Sequence, residues 1–142
     1  MFPKPKRKLL RPRVHLLDRI FSEYIRLRDA DKNGFCQCIT CLRFFSWKEM
    51  DAGHFIQRDR FSLRWDERNV HAQCPHCNRF RSGMQYEHGL GIDNLHGAGT
   101  AQLLSQIGRS RVKISPFDIE FLIKNYREKL LRMRQTKSGI PC

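Results

Sequence analysis

Asn69-Val70-His71-Ala72-Gln73-Cys74-Pro75-His76-Cys77-Asn78 is the stretch on which the reading of this chain turns. It contains a Cys-x-x-Cys knuckle, and a second knuckle, Cys38-Ile39-Thr40-Cys41, lies upstream. A tight bend with this spacing turns two thiolates toward one ion, and two such bends make the tetrahedral sulfur site that zinc takes. His54 lies between the knuckles, and Asn69 and Asn78 flank the second one. An imidazole and carboxamides beside a hard cation are what phosphodiester cleavage requires. The residues therefore point to a nuclease stapled by zinc.

Composition agrees with a polyanionic partner. The chain has 142 residues, with 27 Lys plus Arg against 14 Asp plus Glu, a net charge of +13. Such an excess repels itself in a compact fold and favours nucleic acid, with an anionic membrane surface second. No apolar run approaches the roughly 20 residues that span a bilayer, and no signal peptide follows the basic start. The expected compartment is a reducing cytoplasm, where paired cysteines hold metal more often than disulfides. Three disulfides are the alternative for six cysteines. Cys142 reads as a spare thiol. Cys36 could also offer a ligand, but Cys38 gives the two-residue gap that matches the second knuckle.

Residues 1–13 carry six cations and no acid, and Pro3, Pro5 and Pro12 disfavour helix there, so they read as a basic flexible arm. Their Pro-Lys-Pro-Lys-Arg-Lys run also fits a nuclear import signal. Residues 14–142 read as a single domain. Leu17, Ile20, Phe21, Tyr24 and Ile25 make a helical stripe over 14–29, either core or a dimer seam. Asp29 to Gly34 mimics the start of a calcium loop, but the twelfth position is Thr40 and not Glu, so a turn closed by Gly34 is expected. Residues 42–55 are expected as strand entering His54, 57–66 as a charged loop and 68–73 as a second strand. A helix after Pro75 would carry Cys77, Asn78, Arg79 and Arg81 and stop at Gly83. The glycines of 88–99 suggest loop. Thr100 caps a short helix, and Ser115, Pro116 and Asp118 open a final helix whose stripe is Ile119, Leu122, Ile123, Tyr126, Leu130 and Met133.

The chemistry distributes naturally over these residues. His54 is the general base, since imidazole is neutral near pH 7. Asn78 offers a carbonyl oxygen to a hard cation such as Mg²⁺, and Asp51, three residues before His54, is the candidate carboxylate. Asn69 holds the loop and the imidazole by hydrogen bonds. His71 shares a strand face with Asn69 and so could approach the site. His76 could contact phosphate, and His88 reads as a loop residue.

This arrangement resembles the HNH, or ββα-metal, endonucleases. The matching pieces are Asp51-Ala-Gly-His54-Phe, Asn69-Val-His-Ala-Gln-Cys74 and Cys74-Pro-His-Cys77-Asn78. With Leu17-Asp-Arg-Ile-Phe-Ser-Glu-Tyr-Ile-Arg26, Trp65-Asp-Glu-Arg-Asn69 and Asn78-x-x-x-Ser82-Gly83, the chain is most similar to the phage NinG/Rap recombination endonuclease family over roughly residues 15–134. The resemblance implies an α+β fold, a small ββα-metal core with a structural zinc between flanking helices. It implies catalysis by His54, Asn69 and Asn78, with structural Zn²⁺ on Cys38, Cys41, Cys74 and Cys77. A catalytic Mg²⁺ or Mn²⁺ would sit on Asn78, with Asp51 inferred beside it. It also implies cleavage of Holliday junctions and D-loops in phage homologous recombination, in the bacterial cytoplasm. Many HNH enzymes place Asp or His before the base, where this chain has Gly53, so the carboxylate ligand stays open.

Arg58, Arg60, Arg64, Arg79 and Arg81 are the expected DNA contacts, with Phe61 and Trp65 stacking on unpaired bases and Arg109, Arg111 and Lys113 forming a further basic cluster. A homodimer would suit the near two-fold symmetry of a junction. The rival reading is a zinc-stabilised DNA-binding module without catalysis. A zinc deaminase would need His-x-Glu and Pro-Cys-x-x-Cys, and neither occurs.

Overall fold

The structure, a computed structural model, describes residues 7–140. Helix α1 spans Arg7–Asp29 and α4 spans Pro116–Thr136. Between them, β1 (Phe35–Gln37) pairs antiparallel with β2 (Phe44–Ser46), and β3 (Asp51–His54) with β4 (Val70–Gln73). One π-helical turn, His76–Phe80, follows β4, and then come α2 (Gln85–His96) and α3 (Thr100–Ile107). The fold is α+β, and among the described residues no helix is long and apolar enough to cross a membrane.

The stripe expected on α1 is core. Leu17, Phe21, Tyr24 and Ile25 are buried against Ile119, Ile123, Tyr126 and Leu130 of α4, with Trp65 and Val70 beneath them. Phe21 meets Tyr126 edge-on at 4.8 Å. The helices run parallel: Arg13 pairs with Glu120, and ten residues on, Glu23 pairs with Arg134. These exposed ion pairs contribute roughly 0–1 kcal/mol each, against about 1.5–3 kcal/mol for each buried aliphatic or aromatic side chain, so the apolar faces decide the packing. Lys137, one residue beyond α4, gives its ammonium to the carbonyls of Leu27, Arg28 and Ala30, at and just past the end of α1. The stripes offered for a dimer seam are spent within the chain.

Three expectations give way to tertiary packing. Residues 7–13, read as flexible arm, are the start of α1 despite Pro12. Pro12 removes a single donor, while Leu10 and Val14 on either side pack on the helical core and offset that loss. The rest of the arm and Cys142 lie outside the described residues. The strand expected over 42–55 is broken, because Ser46 and Glu49 form a capping box that draws Trp47–Glu49 into a 3-10 turn before β3. Residues 88–99, read as loop, are helical to His96. Gly91 is there for proximity: a Cβ on it would lie 2.5 Å from Ile39 Cγ1 and 2.8 Å from the Ile39 carbonyl oxygen. The Asp29–Gly34 turn forms as expected, with Gly34 at φ 84° and Asp31 Oδ1 accepting from the N–H groups of Asn33 and Phe35.

Candidate metal centre and adjoining cleft

The two knuckles come together. The Sγ atoms of Cys38, Cys41, Cys74 and Cys77 all lie within 4.8 Å of one another, with Cys41 and Cys74 3.9 Å apart. Zinc–sulfur bonds of about 2.3 Å in a tetrahedron place sulfurs about 3.8 Å apart, so the quartet fits an ion such as zinc. Burial alone would raise the Cys38 thiol, but the Cys74 N–H (3.3 Å) and the Thr40 hydroxyl (3.2 Å) hydrogen-bond to its sulfur and bring it below its ordinary value. A stabilised thiolate is what metal binding requires. Cys36 behaves oppositely. Burial, and then the Asp29 charge, pushes its thiol up to about 12, and its Sγ donates to the Arg26 carbonyl at 3.2 Å. Burial pushes the Cys41 and Cys74 thiols up as well, so geometry decides: the converging quartet contains Cys38 and not Cys36.

Beside this centre a cleft of about 470 Å³ opens. Asp51 and His54 enter it from the two ends of β3, Arg58 from the loop between β3 and β4, and Asn78 and Arg79 from the π-helical turn. Asn78 Nδ2 donates to Asp51 Oδ2 at 2.9 Å, leaving its own Oδ1 for another partner. Arg79 grips the same carboxylate, Nε to Oδ2 at 2.8 Å and Nη2 to Oδ1 at 2.6 Å. His54 Nε2 lies 2.9 Å from the Arg64 carbonyl oxygen. That oxygen can only accept, so Nε2 carries the hydrogen and Nδ1 is the basic atom of the neutral ring. Burial lowers the His54 pKa below its ordinary value and the Arg58 charge adds to this, while the bond to Arg64 works the other way.

Asn69 acts through the loop and does not touch the imidazole. Its buried carboxamide donates to the carbonyls of Ile56 (2.9 Å) and Leu63 (3.1 Å) and accepts from the Ile56 N–H (2.8 Å), closing residues 56–69. That loop carries the Arg64 carbonyl that orients His54. Gly53 also acquires a reason. A Cβ there would stand 2.3 Å from Gln73 Oε1, so the position before the histidine has no room for a side chain, and Asp51 faces Asn78 instead.

The expected DNA contacts separate. Arg58, Arg79 and Arg81 are exposed, and Arg60 is half-buried with Nη1 3.5 Å from Asp59. Arg64 is a correction: it turns inward to bind Asp18 at 3.0 and 2.6 Å, its side chain 14% exposed, so it is structural. Trp65 is another, buried with Nε1 donating to Asp18 at 3.0 Å and with the half-buried Phe61 stacked on it, so the Trp65 ring is not free for bases. His71 does not approach the cleft; its Nε2 lies 2.8 Å from His96 Nε2. His88 is fully buried within α2. His76 is exposed.

Asp18, Arg26 and Lys48 also line the cleft; Asp18 and Arg26 fall within the Leu17–Arg26 stretch, but nothing in the sequence marks any of the three as a cleft residue. Asp18 and Arg26 are polar positions of an amphipathic helix, and Lys48 sits on the 3-10 turn between β2 and β3. Among the described residues, neither Arg26 nor Lys48 has a carboxylate partner.

The comparisons with known proteins agree on one family. The Protein ninG of Salmonella phage P22 is 30% identical over 141 residues, covering 95% of this chain and 66% of that protein. Those of Escherichia phage 933W and Escherichia phage lambda are each 29% identical over 95% of this chain. The chain thus spans somewhat less than two thirds of the length of these relatives, 66% for phage 933W. No solved structure matches. Since the family described as Bacteriophage Lambda NinG protein also matches residues 3–137, the chain belongs to the NinG family.

Proposed function

We propose that this protein is a metal-dependent endodeoxyribonuclease that cuts branched intermediates of phage recombination, Holliday junctions and D-loops among them, in the bacterial cytoplasm. One observation carries the reading: Asp51, His54 and Asn78, separate in the chain, share one cleft with four cations. In this reading β3, β4 and the π-helical turn are the ββα-metal unit, and the cysteine quartet is its zinc staple.

The Asp51 carboxylate and Asn78 Oδ1 would hold Mg²⁺ or Mn²⁺, which when bound offsets charge on the phosphate and the departing oxygen. His54 Nδ1 accepts a proton from water as the water oxygen bonds to phosphorus and the P–O bond to the leaving oxygen breaks; that oxygen is protonated from solvent. The Arg64 carbonyl keeps Nε2 protonated, so Nδ1 is ready as base. Arg79 is 65% exposed, so trading Asp51 for a DNA phosphate costs it little buried contact. Arg58 and Arg81 add phosphate contacts, and shape-selective binding follows from contacts spread over two arms of a branch. A homodimer would use the outer face of α4, where Phe117, Phe121 and Leu131 are exposed.

The test is a panel of labelled duplex, flap, D-loop and four-way substrates with Mg²⁺ or Mn²⁺. The wild type cuts the branched members, and His54→Ala binds them without cutting. Binding without cutting by the wild type, under every divalent ion tried, would instead establish a non-catalytic zinc-stabilised DNA-binding module.

A further inference from the structure

We propose that Arg26 and Lys48 form an anion seat for the DNA phosphate next to the scissile one, which makes α1 a wall of the cleft. This rests on the nuclease reading of the same cleft.

The cleft carries more cations than its own carboxylates can pair. Its carboxylates are Asp18 and Asp51, and each already accepts two bonds from a guanidinium, Arg64 and Arg79 respectively. The other cations of the lining, Arg26, Lys48 and Arg58, are left over. Arg58 lines the cleft from the loop that follows His54 at the end of β3 and so belongs with the reacting groups. Arg26 and Lys48 come from α1 and the 3-10 turn, elements that supply none of the reacting groups. A volume of about 470 Å³ exceeds a single phosphate and has room for the adjoining stretch of backbone.

Arg26 and Lys48 are also held in place before any ligand arrives. Arg26 Nε donates to the Ser22 carbonyl at 3.2 Å and Nη1 to the Trp47 carbonyl at 3.4 Å, and the guanidinium lies over the Trp47 ring at 5.5 Å. This holds the planar group in place while Nη2 makes no hydrogen bond among the described residues. The Ser46–Glu49 capping box fixes the turn that carries Lys48. A guanidinium fork held on three sides, with donors to spare and no carboxylate, is built for an oxyanion. The abundant anion for a chain of charge +13 that handles DNA is the phosphodiester.

The experiment uses the full zinc-loaded chain in magnesium-free buffer, with binding to a four-way junction and a duplex measured across salt concentrations. Arg26→Gln and Lys48→Gln each reduce the slope of log K against log salt by about 1, and the double variant by about 2. Lys124→Gln, exposed on α4 outside the cleft, leaves the slope unchanged. Single methylphosphonate linkages walked along the strand locate the contact: one neutral linkage weakens the wild type several-fold and does not weaken Arg26→Gln further. Unchanged slopes in variants that bind DNA and melt like the wild type overturn this proposal alone. So does an unchanged slope for Lys48→Gln should Arg26→Gln fail to fold. A wild type that binds no DNA overturns the proposal and the nuclease reading together.

Discussion

Asn69→Ala tests the claim that one buried carboxamide organises the site from a distance. The side chain makes three hydrogen bonds to backbone, two as donor and one as acceptor. Each is worth about 1 kcal/mol net, and deleting one partner leaves the other groups desolvated, so the loss is about 3–4 kcal/mol. Against a typical domain stability of about 5–15 kcal/mol this is a large share. Asn69→Asp is expected to fare worse at pH 7. It keeps the bond from the Ile56 N–H but sets a carboxylate oxygen against the carbonyls of Ile56 and Leu63. Equilibrium urea unfolding of the zinc-loaded protein gives the stability, and the His54 ring protons give its titration by NMR. Release of the loop carrying the Arg64 carbonyl lets water reach His54, and its pKa rises toward the reference value of about 6.5. A variant within 0.5 kcal/mol of wild type, with His54 titrating as before, would show that the loop closes without Asn69 and refute the reasoning.

Cys74→Ser breaks the quartet, so one zinc per chain is lost and the domain unfolds with it, as read by metal analysis and circular dichroism; a folded, metal-free variant would disprove the coupling. Burial drives His88 down to about 4 and His71 down to about 2. Unfolded histidines titrate near pH 6.5, so the unfolded state takes up protons that the folded state refuses. Stability is therefore full above pH 6.5 and falls as the pH drops toward 4, by up to about 1.4 kcal/mol per unit for each histidine. Both His88 nitrogens lack partners among the described residues, so His88→Leu flattens that dependence and is neutral or stabilising near pH 7; an unchanged slope in urea melts between pH 6.5 and 5 would count against this. Gly91→Ala, which on an exposed helix would gain about 1 kcal/mol, here drives a methyl into the Ile39 carbonyl and destabilises by about 1–2 kcal/mol in thermal melts; a gain would mean α2 stands off the knuckle.

The elements with local signals were legible. The α4 start was written in Ser115, Pro116 and Asp118, and its capping box is formed. The stripe of α1 was legible because a 3.6 period needs no partner to be seen. Cys38, Cys41, Cys74 and Cys77 were legible because knuckle spacing is a local constraint that folding only has to bring together. The misreadings share one cause. Gly91 looked like loop because its reason, room for Ile39, lies about fifty residues away in the chain. Arg64 and Trp65 looked like DNA contacts because their partner, Asp18, sits on a helix with no visible link to them.

The sequence by itself determined the ligand types, the family and the candidate base and amide, since each depends on residue identity at short spacing. Only the tertiary structure decided which side chains share the cleft. It put Asp51 against Asn78, turned Arg64 away, chose Cys38 over Cys36, and brought Arg26 and Lys48 in from α1 and a turn. The reason is that hydrogen bonds and charge compensation act over a few ångströms in space, between groups whose separation along the chain carries no signal.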